Sequence, residues 1–128
     1  MKKLIRIVVV ILGLIFVSGC FNKPKLTKEQ QNNVVTWIAR GYEVKEVEFI
    51  SITKNDSTGS YTVKMKINGD DSMKTGVLIE RFEEFDNRNG ILNLSPIDNF
   101  ESIKRAEDLD ETASVSIEGI KIKYLGEK

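Results

Sequence analysis

From Tyr61 to Ile67 the chain alternates without a break: Tyr61, Val63, Met65 and Ile67 are apolar, while Thr62, Lys64 and Lys66 are polar. A period of two sends successive side chains to opposite faces, which is the geometry of a β-strand half in a core and half in water. A lone strand cannot cover its own apolar face. The stretch therefore commits the chain to a sheet with a second layer packed against it. Asn68-Gly69-Asp70-Asp71 then predicts a tight turn, because Asn-Gly accepts the positive φ angles of a hairpin connection.

The neighbouring segments extend the same pattern. Val44 to Thr53 is rich in strand-forming residues, with Val47 and Phe49 on one face and Ile50 and Ile52 on the other. The switch at Phe49/Ile50 predicts either a bulge or a strand covered on both sides. Lys54-Asn55-Asp56-Ser57-Thr58-Gly59 reads as a turn. A third strand is expected from Met73 to about Phe82, centred on Val77-Leu78-Ile79, and a short fourth at Ile91-Leu92-Asn93-Leu94. Lys64 and Lys66 are expected opposite Glu46 or Glu48 as cross-strand pairs.

Two helices flank this sheet. Thr27-Lys28-Glu29-Gln30 fits a capping box, Val34, Val35, Ile38 and Ala39 fall at helical spacing, and Gly41 is expected as a left-handed stop. Trp37 and Tyr42 join the apolar side, so Trp37 reads as a core residue rather than a binding residue. Ser95-Pro96-Ile97-Asp98 can open a second helix, with Ser95 as cap, Pro96 first in the helix, and Phe100, Ile103, Ala106 and Leu109 on its buried side. Val115, Ile117, Ile120, Ile122 and Tyr124 fit a hairpin or, better, one strand bulged at Gly119. The sum is an α+β domain: one N-terminal helix packed on an antiparallel sheet of about four to five strands, with a second short helix before the last strand.

The first twenty residues stand apart from this domain. Lys2, Lys3 and Arg6 precede the apolar run Ile7–Phe16, and Val17-Ser18-Gly19-Cys20 follows it. A cationic start, an apolar core and small residues before a cut describe a secretory signal peptide. The run is short for a membrane span, which needs about 20 apolar residues. Val17-Ser18-Gly19-Cys20 resembles the lipobox of bacterial lipoproteins, with Val17 where that family prefers Leu. The resemblance implies cleavage between Gly19 and Cys20 and lipidation of Cys20 by diacylglycerol and further acyl chains such as palmitate. Cys20 is the only cysteine, so no intrachain disulfide can form, and lipidation accounts for an otherwise unpaired thiol. The expected organisation is a signal peptide at 1–19, a lipidated cysteine and tether at 20–26, and one domain at 27–128.

Lys23 and Lys25 in the tether either add attraction to an anionic membrane, about 1 kcal/mol each, or serve only as solubilising charges. Removing Met1–Gly19 takes Lys2, Lys3 and Arg6 from the 19 basic side chains and none of the 19 acidic ones. The remainder carries a net charge of about −3. That balance lacks the clustered basic footprint of a nucleic-acid binder, so no nucleic-acid partner is expected.

Little in the domain points to catalysis. The chain has no His, and Cys20 is its one thiol, which removes the commonest general base, zinc ligand and nucleophile. Ser51-Ile52-Thr53-Lys54 matches S-x-x-K and Lys74-Thr75-Gly76 matches K-T-G, two motifs of penicillin-binding proteins and class A β-lactamases. In those enzymes the serine opens a helix, whereas Ser51 lies in a strand pattern, and S-D-N is missing. Glu107-Asp108-Leu109-Asp110-Glu111, and Asp70-Asp71 with Asn68, offer carboxylates without the spacing of a calcium loop. No cofactor, metal or catalytic residue is expected.

Lipobox, lysine-containing tether, a helix ending before Tyr42, then Lys45-Glu46-Val47-Glu48-Phe49-Ile50 and a Ser57-Thr58-Gly59 turn leading to Tyr61 make an order similar to small Gram-positive bacterial lipoproteins with a C-terminal domain of unknown function. The resemblance implies a lipid-anchored protein on the extracytoplasmic face of the cell membrane and assigns no chemistry. A non-enzymatic role is expected, binding a secreted or envelope protein or ligand through an exposed sheet edge or the helix and sheet rim. The alternatives are an immunity lipoprotein against a bacteriocin or toxin, a small envelope-stress accessory factor or enzyme, and a structural envelope component.

Overall fold

The computed structural model describes residues 24–126, so Gly19, Cys20 and the signal segment lie outside the described residues. Helix α1, Lys28–Ala39, leads into strands β1, Glu46–Lys54, β2, Tyr61–Ile67, and β3, Lys74–Ile79. A 3-10 turn at Phe82–Asp86, helix α2 at Ile97–Phe100, a 3-10 turn at Glu101–Ile103 and strand β4 at Lys121–Lys123 follow. The sheet order is β3-β2-β1-β4. This is the α+β fold that the patterning predicts, with the helix ahead of the sheet and a short helix before the last strand.

One pairing differs from an all-antiparallel sheet. Strand β4 lies parallel to β1, from Glu46–Lys121 to Glu48–Lys123. A parallel partner needs a long crossover rather than a hairpin, and the segment between β3 and β4 provides it by running back across α1.

The capping box at α1 forms as expected: Thr27 Oγ1 accepts from the Gln30 amide at 3.0 Å, and Gln30 Oε1 accepts from the Thr27 amide at 2.9 Å. Gly41 does not end the helix by a left-handed turn, since its φ is not among the positive ones. A Cβ there would make ordinary contacts, 3.4 Å from Asp108 Oδ1 and 3.7 Å from the Leu92 carbonyl, so packing does not demand a glycine either.

The helix is also more deeply enclosed than an amphipathic surface helix. Val34, Val35 and Ile38 face the sheet core, while Trp37 stacks on Phe85 at 6.3 Å and donates through Nε1 to the Asn87 carbonyl at 2.8 Å. Polar α1 residues are buried with their partners. Asn33 Nδ2 donates to the Phe85 carbonyl, and Gln31 joins the Leu26 carbonyl to the Leu125 amide. Arg40 is buried as well, its Nε donating to the Ala113 carbonyl at 2.9 Å and its Nη1 to those of Arg88 and Gly90 at 2.7 and 2.9 Å. These ties hold the long connection against one side of α1 while the sheet covers the other.

The strand pattern reproduces its predicted bulge. Register shifts between Phe49 and Ser51, so Phe49 faces Met65 in the core while Ile50 is the extra residue. Asn68 and Gly69 take φ of 55° and 65°, and the Asp70 amide bonds the Ile67 carbonyl at 3.1 Å, as the mirror-image type I turn requires. Asn68 Oδ1 also accepts from the amides of Lys45 and Glu46, tying the hairpin to the start of β1.

Three predicted elements are revised. Ile91–Leu94 is not a strand, because the Leu92 amide bonds the Trp37 carbonyl and the Leu94 amide bonds Tyr42 Oη, which satisfies that backbone without a neighbouring strand. The second helix starts one residue late: Pro96 is extended, and Ser95 turns its amide to Thr75 Oγ1 at 3.2 Å instead of capping. It also stops before Ala106 and Leu109, which lie beyond the 3-10 turn. Near the end, the Ile120 amide closes a turn on the Ile117 carbonyl. Only Lys121–Lys123 pairs with the sheet, so neither a hairpin nor a single bulged strand forms.

Candidate functional site

With α1 on one face, the other face of the sheet is left uncovered among the described residues. Alternation puts Glu46, Glu48, Ser51 and Thr53 of β1 on it, with Thr62, Lys64 and Lys66 of β2, Lys74, Gly76 and Leu78 of β3, and Lys121 and Lys123 of β4. The rows across the strands are Glu48–Lys66–Lys74, Ser51–Lys64–Gly76 and Thr53–Thr62–Leu78. Five lysines share this face with two glutamates. Lys66 is engaged by Asp71 at 3.2 Å and Glu48 at 4.0 Å, and Lys123 by Glu46 at 3.4 Å. The Asp71 hydrogen bond and charge hold the Lys66 ammonium above the ordinary lysine value. The expected lysine–glutamate pairing thus occurs at Lys66 alone on β2, and Lys64, Lys74 and Lys121 make no ion pair among the described residues.

A second feature lies at one edge of the sheet. Strand β4 leaves β1 after Glu48, next to the bulge, and the chain crosses to α1, where Tyr124 Oη donates to Asn32 Oδ1 at 2.7 Å. Beyond that point, among the described residues, β1 has a strand neighbour on one side only. The Asn55 amide bonds the Ser60 carbonyl in the β1–β2 hairpin. By antiparallel alternation the backbone groups of Ile52 and Lys54 therefore point away from β2. An open groove of about 940 Å³ runs along this edge, lined by Ser51–Lys54 on one side and by Pro24, Leu26 and Leu125 on the other. Lys54 lies 5.9 Å over the Tyr61 ring at its mouth.

The motif residues singled out by sequence do not assemble. Ser51 and Lys54 are three apart on a strand and so project from opposite faces, whereas on a helix the same spacing would bring them together. Thr75 of the K-T-G match is buried and accepts from the Ser95 amide. The acidic candidates are used as local acceptors. Asp110 Oδ1 takes the Thr112 hydroxyl and amide, Asp70 Oδ1 takes those of Ser72, and Asp108 pairs with Lys104. Those hydroxyl and amide bonds hold Asp110 and Asp70 below the usual aspartate range. Among the described residues no three His, Cys, Asp or Glu side chains come together as a metal would require. No helix among them is long and apolar enough to cross a membrane.

An exposed sheet edge is expected from the sequence, but not which strand carries it, and the lysine face reads there only as cross-strand pairs. A strand reading supplies the face of each residue but not which strand ends early, and that decides where backbone groups are left unpaired. Comparisons with protein-family models, with curated proteins and with solved structures return no match.

Proposed function

We propose that this chain is a non-enzymatic lipoprotein, anchored through Cys20 on the extracytoplasmic face of the cell membrane, which binds a protein by adding one of the partner's extended segments to the open edge of β1. The observation that carries the binding half is the early departure of β4, which leaves the outward backbone groups of Ile52 and Lys54 without a strand partner. An unpaired strand edge is a template for main-chain hydrogen bonds, and a walled groove beside it adds side-chain selection. Leu26 and Leu125 are such walls. The anchoring half rests on the lipobox resemblance of Val17–Cys20 and the solitary cysteine. An immunity lipoprotein that intercepts a toxin at the membrane is a special case of this reading.

Crosslinking capture with the full chain in its native membrane tests it. The wild type and Lys54→Ala recover one partner in stoichiometric amount. Lys54→Pro, which removes an outward N–H that an edge strand can spare from its own ladder, loses it. Equal recovery by Lys54→Pro contradicts strand addition at β1. Loss on Gly76→Pro instead moves the site to the opposite edge, β3. Recovery of no partner contradicts the protein-binding role.

A further inference from the structure

Among the described residues, Lys64, Lys74 and Lys121 are three uncompensated cations on the sheet face opposite α1, in a domain whose segment from Glu80 to Glu118 holds 11 acidic and 4 basic side chains. Lys74 stands directly opposite Lys66, an arrangement of like charges that costs stability. Two of the exposed large apolar side chains, Ile50 at 44% and Leu78 at 64% exposure, lie on the same face. Between them Gly76 keeps the surface low: a methyl there would stand 3.6 Å from Thr62 Cγ2 and 4.0 Å from Lys64 Cγ. A flat basic platform with two projecting apolar side chains has the chemistry of a surface that meets lipid headgroups.

The start of the domain lies beside this platform. Ser51 and Thr53 belong to the face and also line the groove that Pro24, Lys25 and Leu26 border. The residues between Cys20 and Leu26 reach at most about 20 Å when extended, so a chain anchored at Cys20 keeps this corner within that distance of the bilayer.

We propose that the uncovered sheet face docks on an anionic phospholipid bilayer, with Lys64, Lys74 and Lys121 against the headgroups and Leu78 and Ile50 entering the interface. The docking rests on the anchored reading above. It lays the sheet flat on the membrane and turns the open edge of β1 sideways, along the bilayer surface, where a membrane-associated polypeptide would meet it. The occupant is a bilayer rather than a protein because the attraction comes from like charges dispersed over β2, β3 and β4 rather than gathered round one recess; the hollow that Lys121 borders with Glu46 holds neither Lys64 nor Lys74.

The test uses the full chain as processed by its own cells, carrying Leu78→Cys and labelled with a thiol-directed nitroxide, in phosphatidylcholine vesicles with or without phosphatidylglycerol. A Ser114→Cys chain, labelled on the connection that packs on α1, is the control. The label at 78 becomes shielded from a water-soluble relaxation agent when phosphatidylglycerol is present, and the label at 114 does not. Each lysine shifts the docked-to-free ratio about fivefold. Lys64→Gln with Lys74→Gln and Lys121→Gln therefore lowers it about a hundredfold and abolishes the shielding. Equal exposure at 78 in both vesicles overturns the proposal, as does shielding that survives the triple substitution. The label count reports on the anchor separately: one nitroxide per chain means that Cys20 is blocked, and two mean that it is free. With Cys20 free, lipid-dependent shielding at 78 would still uphold docking, and its absence would overturn it.

Discussion

Lys66 and Lys74 stand directly opposite one another across the β2–β3 pair, both on the face of the sheet that no element among the described residues covers. Such a pair is tolerated because Lys66 leans to Asp71 and Glu48, which leaves Lys74 as the uncompensated member. Lys74→Glu turns repulsion into a cross-strand ion pair. We expect a slightly raised Tm in thermal unfolding together with weaker docking on anionic vesicles. A stabilised variant with undiminished docking would mean that Lys74 does not meet the membrane.

Arg40 carries the connection between β3 and β4. Three carbonyls, those of Arg88, Gly90 and Ala113, depend on its guanidinium, and burial pulls its pKa below the ordinary arginine value without a carboxylate in direct contact. Arg40→Ala leaves these acceptors in a buried site and is expected to cost about 3 kcal/mol in denaturant unfolding. Arg40→Lys should recover little of it, since an ammonium lacks the fork that reaches separate carbonyls.

Gly90 occupies φ of +132°, with an added Cβ 3.4 Å from Trp37 Cδ1. The dihedral opposes a side chain, while the indole lies at ordinary contact distance from it. Gly90→Ala should therefore destabilise by about 1–3 kcal/mol. It should also change the fluorescence of Trp37, the single tryptophan, which reports on this contact directly.

Asp70 and Asp110 are both held below the usual aspartate range, chiefly by the hydroxyls of Ser72 and Thr112 and then by their amides. A lowered folded-state value means that the contribution is fully present above the unfolded value, about 3.9, and is lost as pH falls through the folded one. Ser72→Ala with Thr112→Val should therefore differ most from wild type in urea midpoint near neutral pH. The gap should close below about pH 4. A gap independent of pH would show that the hydroxyls act by packing instead.

The alternation of Tyr61–Ile67, the capping box at Thr27 and the Asn68-Gly69 turn were readable because each depends on neighbours within a few residues. The bulge at Phe49/Ile50 was readable because a broken period of two has few geometric solutions. What failed depended on partners distant in sequence. Leu92 and Leu94 looked like strand residues, but their amides go to Trp37 and Tyr42 of the helical segment. Gln31, Asn33 and Arg40 are buried ties that no local pattern marks, since nothing within a few residues shows what will cover them. The candidate surfaces share this origin, because the free edge of β1 exists only through where β4 leaves it.

The measurement that bears most directly on the central claim is the intact mass of the chain recovered from the membranes of its own cells, compared with Cys20→Ala. The account predicts a wild-type chain that has lost Met1–Gly19 and gained diacylglycerol and acyl mass on Cys20, and a Cys20→Ala chain that carries no lipid. A wild-type chain without added lipid mass, or one that still holds Met1–Gly19, would contradict it.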